Sequence, residues 1–600
     1  MRIFQNSVLL LAAAGWTAVL ARPTEQGLAK LVSRQEVQEE YDYVIIGGGT
    51  SGLTVGDRLT ENGKYTVLVI EYGIFHEQTG MNPSRMFNIT SQPNPELNGR
   101  RFSVGIGCCV GGSSCVNGQV MLRGTKEEYD AWAELGGGDS WDWDGLLPYF
   151  KKGLTLSPPD PDVAEEYDVR TNAEFWGDET PIYGTFGDSA PAPLTKVLHS
   201  AMAAMPGMTL PKDSGAGENG LYWYSLSQDP VTYQRSYART GHWDNVQRDN
   251  YEMIISSKVN KIILDDDLNA TGVQFVSLSD PDSPAVTVSA RREVVLAAGT
   301  IHTPQILQLS GVGPESLLEE AGIETKVDLP GVGSNFQDHS YIPSISYRWG
   351  TPPNTGGGGG GGGFGRWPNL VAMIGLPVLA PDTYEDMATR YEEQDPTSHL
   401  PSSYTEEQIE GYRQQQAVFA RLMRSPNTTF NEMMMMGPGG SVQNLHPVSR
   451  GTVLIDPANP ESEPIVDYRG GTNEIDLEIM AENVHFMRRY MLEGELAQYQ
   501  ATETSPGLSY ETTEQLVQWA RGVTIPSVYH PIGTCAKMPR EWGGVVDEDL
   551  FVYGVGKLSI ADASIFPTLV GATTQQSVYA VAEKLADLIK ARTYDEEDRK

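Results

Sequence analysis

The stretch Tyr43-Val-Ile-Ile46-Gly47-Gly48-Gly49-Thr50-Ser51-Gly52 decides how this chain is read. Residues 43–46 form a short apolar, β-branched run of strand type, and Gly47, Gly49 and Gly52 stand in G-x-G-x-x-G spacing. Residues 53–59 can continue as a helix. A second apolar run, residues 66–70, ends in Glu71, nineteen residues beyond Gly52, where a parallel second strand would present a carboxylate to a ribose hydroxyl. The glycines let the backbone approach a pyrophosphate, and the helix N-terminus offers free N–H groups and partial positive charge. A lone glycine triplet is a weak signal; with flanking strands and a spaced acid it predicts a dinucleotide-binding unit.

Working outward, apolar runs at 253–255, 262–264, 273–276 and 294–298, with Val259 between the first two, predict further strands of the same domain. The character changes from about residue 340 to 520, which holds the glycine run 356–363, the methionines 433–436 and helical-looking segments around 406–424 and 474–493. This reads as a second domain. The glycine run has no side chains to bury and reads as a surface loop. Near the C-terminus, residues 558–564 read as strand and turn, and residues 575–590 place Val578, Ala582, Leu585 and Ile589 on one helical face. The expected organisation is therefore an α/β Rossmann-like domain over 41–340, with a substrate-domain insertion near 155–235. An α+β substrate-binding domain follows over 341–520, and 521–600 returns to the first domain.

At 600 residues the chain can bury a large core, and 43 basic against 78 acidic side chains leave a formal charge of −35. That field opposes the counterion release behind nucleic-acid binding, so neither nucleic acid nor an anionic membrane is an expected partner. Arg2 precedes a thirteen-residue apolar stretch, 8–20, shorter than the ~17 residues needed to span a bilayer. With Val19-Leu20-Ala21 before Arg22-Pro23, it reads as a signal peptide over 1–21, giving a secreted or secretory-pathway protein. Sequons at Asn88, Asn269 and Asn427 fit that route. Cys108, Cys109, Cys115 and Cys535 are expected as mostly free, buried thiols, and no Cys/His cluster has metal-ligand spacing.

Four stretches, in order, resemble the glucose-methanol-choline (GMC) flavin oxidoreductases across nearly the whole mature chain. The first is Gly47-x-Gly49-x-x-Gly52 with Glu71. The second runs from Gly111-Gly-Ser-Ser-Cys-Val-Asn117-Gly118 through Tyr129-Asp130-Ala-Trp132 to Phe150. The third is Ala298-Gly-Thr-Ile-His-Thr303-Pro304-Gln305, continuing to Asn335-Phe-Gln337-Asp338-His339; the fourth is His530-Pro-Ile-Gly-Thr534-Cys-Ala with Asp562-Ala563 downstream. The resemblance implies FAD held by Gly47, Gly49, Gly52 and Glu71, Asn117 and Gly118 beside the flavin, Val259 at the adenine, and Asp562 and Ala563 in the C-terminal part. It also implies non-covalent FAD, because Val116 occupies the position where some members carry a linking histidine.

Oxidising an alcohol requires hydride to leave carbon while a base within hydrogen-bond reach takes the hydroxyl proton. His530, in a turn bracketed by Pro526, Pro531 and Gly533, is the expected base, and His302 and His339 read as structural. The family's second site residue, a His or Asn, falls here on Thr573, whose single hydroxyl alters the clamp on the substrate oxygen. The chain is more similar to the fungal aryl-alcohol and secondary-metabolite branch than to the sugar or choline oxidases. Tyr222-Trp223-Tyr224 and the methionine segment suit flat apolar ligands. The expected activity is oxidation of an aromatic or polyketide-derived primary alcohol, with oxygen or a quinone-like compound as electron acceptor. The alternative is a non-redox cyclase or dehydratase on the same fold, with His530 as acid/base.

Overall fold

The computed structural model describes residues 29–280, 282–354, 366–435 and 437–592. The expected signal peptide (1–21), the glycine run 356–363 and Met436 lie outside these residues. The decisive stretch forms the centre of an eight-stranded sheet. Glu40–Ile46 runs parallel to Val67–Ile70 on one side and to Val286–Leu296 on the other, with Ile46 opposite both Ile70 and Leu296. Tyr251–Ile254 and then Lys30–Leu31 extend the sheet beyond Val67–Ile70. Beyond Val286–Leu296 come the antiparallel strands Ala270–Ser277 and Ser257–Leu264. Val67–Ile70 is buried throughout, as befits a parallel strand covered on both faces.

The C-terminal run returns to this sheet. Leu558–Ile560 pairs in parallel with residues 294–296, and the helix Gln575–Ala591 packs along the first helix, Thr50–Thr60. Arg58 donates to both oxygens of buried Glu583 at 2.8–2.9 Å, and Lys152 supplies a second cation at 3.3 Å, so the acid enters the core paired.

A second sheet has the order Asn431–Met434, Asn369–Ile374, Gly220–Leu226, Tyr183–Thr185, Thr155–Ser157, with Val120–Met121 added against Gly220–Leu226. A third joins Gly439–Asn444, Ser340–Arg348 and Thr502–Ser505. The aromatic triplet lies in Gly220–Leu226 and obeys strand alternation: Tyr222 and Tyr224 face one side, Trp223 enters the main core on the other. The methionines divide likewise, Met433 and Met435 into the main core and Met434 beside the two tyrosines. Both faces are thus core packing: Trp223, Met433 and Met435 enter the main cluster, and Tyr222 and Tyr224 enter a second buried cluster with Met434 packed against it. Among the described residues no helix is long and apolar enough to cross a membrane.

Candidate active site

A cavity of about 420 Å³ opens at the C-terminal ends of the parallel strands, over the N-terminus of Thr50–Thr60. Gly47, Gly49, Glu71, Val259, Asp562 and Ala563 line it, joined by Thr50, Ser51, Lys258, Thr300 and Thr574. Two glycines are fixed by contact. Gly47 has φ +105°, and a Cβ there would stand 2.5 Å from the Ala297 carbonyl oxygen; a Cβ on Gly52 would stand 1.9 Å from that of Gly47. Gly52 therefore packs helix against turn and does not line the cavity. Glu71 accepts from the Gly48 and Gly73 N–H groups, both at 2.6 Å, and burial pushes its carboxyl up to about 7. These two bonds leave each oxygen a further lone pair for a ligand hydroxyl.

Asp562 is held by the Gly299 N–H (2.9 Å), the Thr303 hydroxyl (2.6 Å) and the Ser564 N–H (2.9 Å). It thereby clasps the second helix end at the cavity, Gly299–Leu309. Asn117 and Gly118 lie outside the lining: the Asn117 amide donates to Gln575 at 2.7 Å, at the start of the C-terminal helix. Val116 is buried beside Cys109, Cys115 and Tyr237. All four cysteines are free, Cys108 partly exposed and the others buried.

His530 stands next to this cavity, between its lining residues Tyr529 and Pro531. Residues 337–339 run antiparallel to residues 528–532: Val528 N–H donates to the His339 carbonyl at 2.8 Å, and Ile532 N–H to that of Gln337 at 2.9 Å. Asp338 accepts from the His530 N–H (2.9 Å) and the Ser527 hydroxyl (2.6 Å), and burial pushes its carboxyl up to about 8. The Thr300 hydroxyl donates to the Pro531 carbonyl at 2.8 Å, tying the turn to the cavity helix. The consequence is a histidine pair, with Nδ1 of His339 3.0 Å from Nδ1 of His530 and the rings at 89°. His339 is fully buried, which holds it well below the ordinary imidazole range. The half-buried His530 ring is lowered by desolvation to about 4.

The pair at 339 and 530 has no sequence signal beyond the third and fourth motif stretches, because no spacing rule joins residues 191 apart. His302 instead meets Glu463 at 2.8 Å on the cavity wall. The Thr573 hydroxyl donates to the Val120 carbonyl at 3.2 Å. Glu461, Ser462 and Glu463, which also line the cavity, went unrecognised in the sequence because they belong to a loop with no motif.

A parallel α/β domain with a glycine turn and an acid at the second strand end defines a dinucleotide-binding protein, here with a histidine pair beside the cavity. The comparisons agree. The family model of the GMC oxidoreductases matches residues 41–341 with its N-terminal part and 447–582 with its C-terminal part. Dehydrogenase xptC of Emericella nidulans is 33% identical, over 94% of this chain and 95% of its own. A solved fungal aryl-alcohol oxidase superposes with a TM-score of 0.85 at 32% identity, covering 92% of this chain and 99% of that one. Formate oxidase of Aspergillus oryzae does so with a TM-score of 0.75 at 26% identity, covering 92% and 98%. The chain belongs to the GMC oxidoreductase family and is an FAD-dependent oxidoreductase.

Proposed function

We propose that this enzyme oxidises a primary alcohol of aromatic or polyketide-derived type, with His530 as the base. The observation that carries the reading is the His530–His339 pair beside the cofactor cavity. A base must present a bare nitrogen to the substrate, and the pair supplies one. Placing the proton of the neutral, buried His339 ring on Nε2 leaves its Nδ1 as acceptor. His530 then donates Nδ1–H to it and keeps Nε2 free. On taking the hydroxyl proton at Nε2, His530 keeps its Nδ1–H bond, so the ring does not turn during the step. Asp338 holds the backbone of His530 and, with its raised pKa, stays largely neutral at pH 7, so it adds little charge beside the base.

The cavity suits FAD. Gly47, Gly49 and the Thr50–Thr60 N-terminus would take the pyrophosphate and Glu71 a ribose hydroxyl. Val259 would meet the adenine, while Asp562, Ala563 and, beyond the lining, Asn117 and Gly118 would border the flavin end. Bound FAD supplies the hydride acceptor. Val116 offers no linking nitrogen, so the cofactor is held non-covalently, and electrons pass on to oxygen or a quinone-like acceptor. The apolar segment before Arg22 and the exposed sequon residues Asn88 and Asn427 support export with glycosylation.

One observation favours a second reading. Thr573 spends its hydroxyl proton on the Val120 carbonyl, so the substrate oxygen meets one imidazole where a clamp is expected. A non-redox cyclase or dehydratase would need only His530. A visible spectrum of the purified protein under nitrogen, before and after aryl alcohols, separates the readings. Bleaching of the flavin with aldehyde formed supports oxidation. Product formed from a cyclisable substrate with the flavin still yellow supports the cyclase.

A further inference from the structure

One part of the cavity wall is the tip of a hairpin. Thr452–Leu454 and Ile465–Asp467 pair antiparallel, and residues 455–464 join them. Backbone bonds anchor the base of the hairpin: Val453 N–H donates to the Gly333 carbonyl, and Gln92 N–H to that of Val466, both at 2.8 Å. The tip is placed differently. Glu461, Ser462 and Glu463 are exposed to solvent and also line the cavity, so a single layer of chain separates the two there.

Three side chains of the cavity wall hold the tip. Lys258 Nζ donates to the Glu461 carbonyl and Gln305 Nε2 to that of Ser462, both at 2.5 Å, and His302 Nε2 stands 2.8 Å from the Glu463 carboxylate. The first two reach the tip's backbone; the third joins side chain to side chain. The His302 ring is backed by Phe87, with ring centroids 4.3 Å apart, and Phe87 by Tyr72 at 5.0 Å. Burial would raise the Glu463 carboxyl, but the hydrogen bond and charge of His302 outweigh it and hold it below its usual value. Lys258 is the neighbour of Val259, and the Ser257 N–H donates to the Glu71 carbonyl at 3.0 Å, so the tip lies over the end of the cavity assigned to the adenosine half of FAD.

We propose that the hairpin tip is a strap across the adenosine end of the cavity, fastened by the His302–Glu463 contact, and that FAD enters and leaves where it opens. The proposal rests on the placement of FAD in this cavity. A local opening costs only the contacts it breaks. At the tip these are a few polar side-chain contacts near the surface, whereas the wall behind Glu71 is the strand Val67–Ile70, buried throughout in the eight-stranded sheet. The tip therefore yields before the sheet does, and a cofactor can exchange without unfolding of the domain.

The test uses the FAD-loaded enzyme, with release followed by the rise of flavin fluorescence after dilution. Glu463→Ala removes a half-exposed side chain from a surface loop, so the fold is kept, and His302→Ala cuts the same contact from the other side. Each should release FAD about three- to tenfold faster, the range of one hydrogen bond. Uptake by the apoprotein, read from the quenching of added FAD, should quicken by a similar factor, because a strap that opens more often serves both directions. Kd then moves less than either rate. The double variant should release FAD no faster than the quicker single one, since either substitution already unfastens the strap. Wild-type release in both single variants would overturn the proposal, as would a Kd raised by the whole factor with uptake unchanged, the mark of a direct ligand contact. Glu71→Ala, measured beside them, keeps the two readings apart. Release hastened in Glu71→Ala but not in the strap variants refutes the strap alone; release unchanged in all three refutes the FAD placement with it.

Discussion

At the scale of single residues, the proposed chemistry rests on His530 and on what keeps it neutral. Its lowered pKa means that the ring is a free base from about pH 4 upward, so flavin reduction should stay level from pH 9 to 6 and fall only toward 4. A profile that halves near the ordinary histidine value of 6.5 would contradict this. The stability sign follows: the unfolded chain binds that proton first, so the fold loses stability as pH falls from 6.5 toward 4. His530→Ala should slow anaerobic flavin reduction by at least ~10²-fold with FAD still bound, whereas Thr573→Ala, removing a hydroxyl bonded to backbone, should cost about tenfold or less. Wild-type reduction rates in His530→Ala would remove it as the base. His530 stood out as a candidate because a turn of prolines and glycine brackets it. His339 was legible only as a motif residue, since its pairing with His530 depends on two loops meeting through backbone bonds that no local pattern encodes.

At the scale of elements, the strand–turn–helix unit could be read from the sequence almost in full, because Gly47 and Gly52 each answer a specific steric demand. Gly49 and Gly52 differ in what they do, and substitution should separate them. A Cβ on Gly49 meets nothing nearer than the Gly112 Cα at 3.7 Å, while one on Gly52 would lie inside the Gly47 carbonyl at 1.9 Å. Gly49→Ala should therefore fold with a near wild-type melting temperature and lose FAD affinity, because its methyl sits on the cavity wall. Gly52→Ala should lose stability itself, as helix and turn are forced apart. Melting curves of both apoproteins check this, and equal melting temperatures would refute the division of roles. The second sheet was less legible. Its strands come from widely separated parts of the chain, and the triplet Tyr222-Trp223-Tyr224 reveals its alternation only once its neighbours are known. Period two places the rings on opposite faces but does not say which face meets the core.

At the scale of the whole molecule, the cavity proposed to hold FAD draws its walls from residue 46 to residue 578, so no single segment makes it. The return of Leu558–Ile560 and Gln575–Ala591 to the first sheet was legible from an apolar strand and an amphipathic helix. The loop that brings Glu461, Ser462 and Glu463 to the wall was not, since its position depends on the packing of Thr452–Leu454 against Gly299–Leu309. A ligand that touches so many separate segments binds the folded chain and not the unfolded one, so it stabilises by mass action, about 2.7 kcal/mol at a free concentration of 100 Kd. Stripping FAD with acid should leave the pellet colourless and the flavin in the supernatant, as non-covalent binding requires. Refolded apoprotein should then melt lower than the holoenzyme and recover as FAD is added back, with a melting temperature rising in proportion to the logarithm of free FAD once the site is saturated. Glu71→Ala should shift that titration to about ten- to a hundredfold higher FAD, the loss of one charge-assisted hydrogen bond to a ribose hydroxyl. Yellow colour kept in the acid pellet would exclude the non-covalent mode. A titration in Glu71→Ala that overlays the wild type would exclude the ribose contact while leaving the cavity itself as the FAD site.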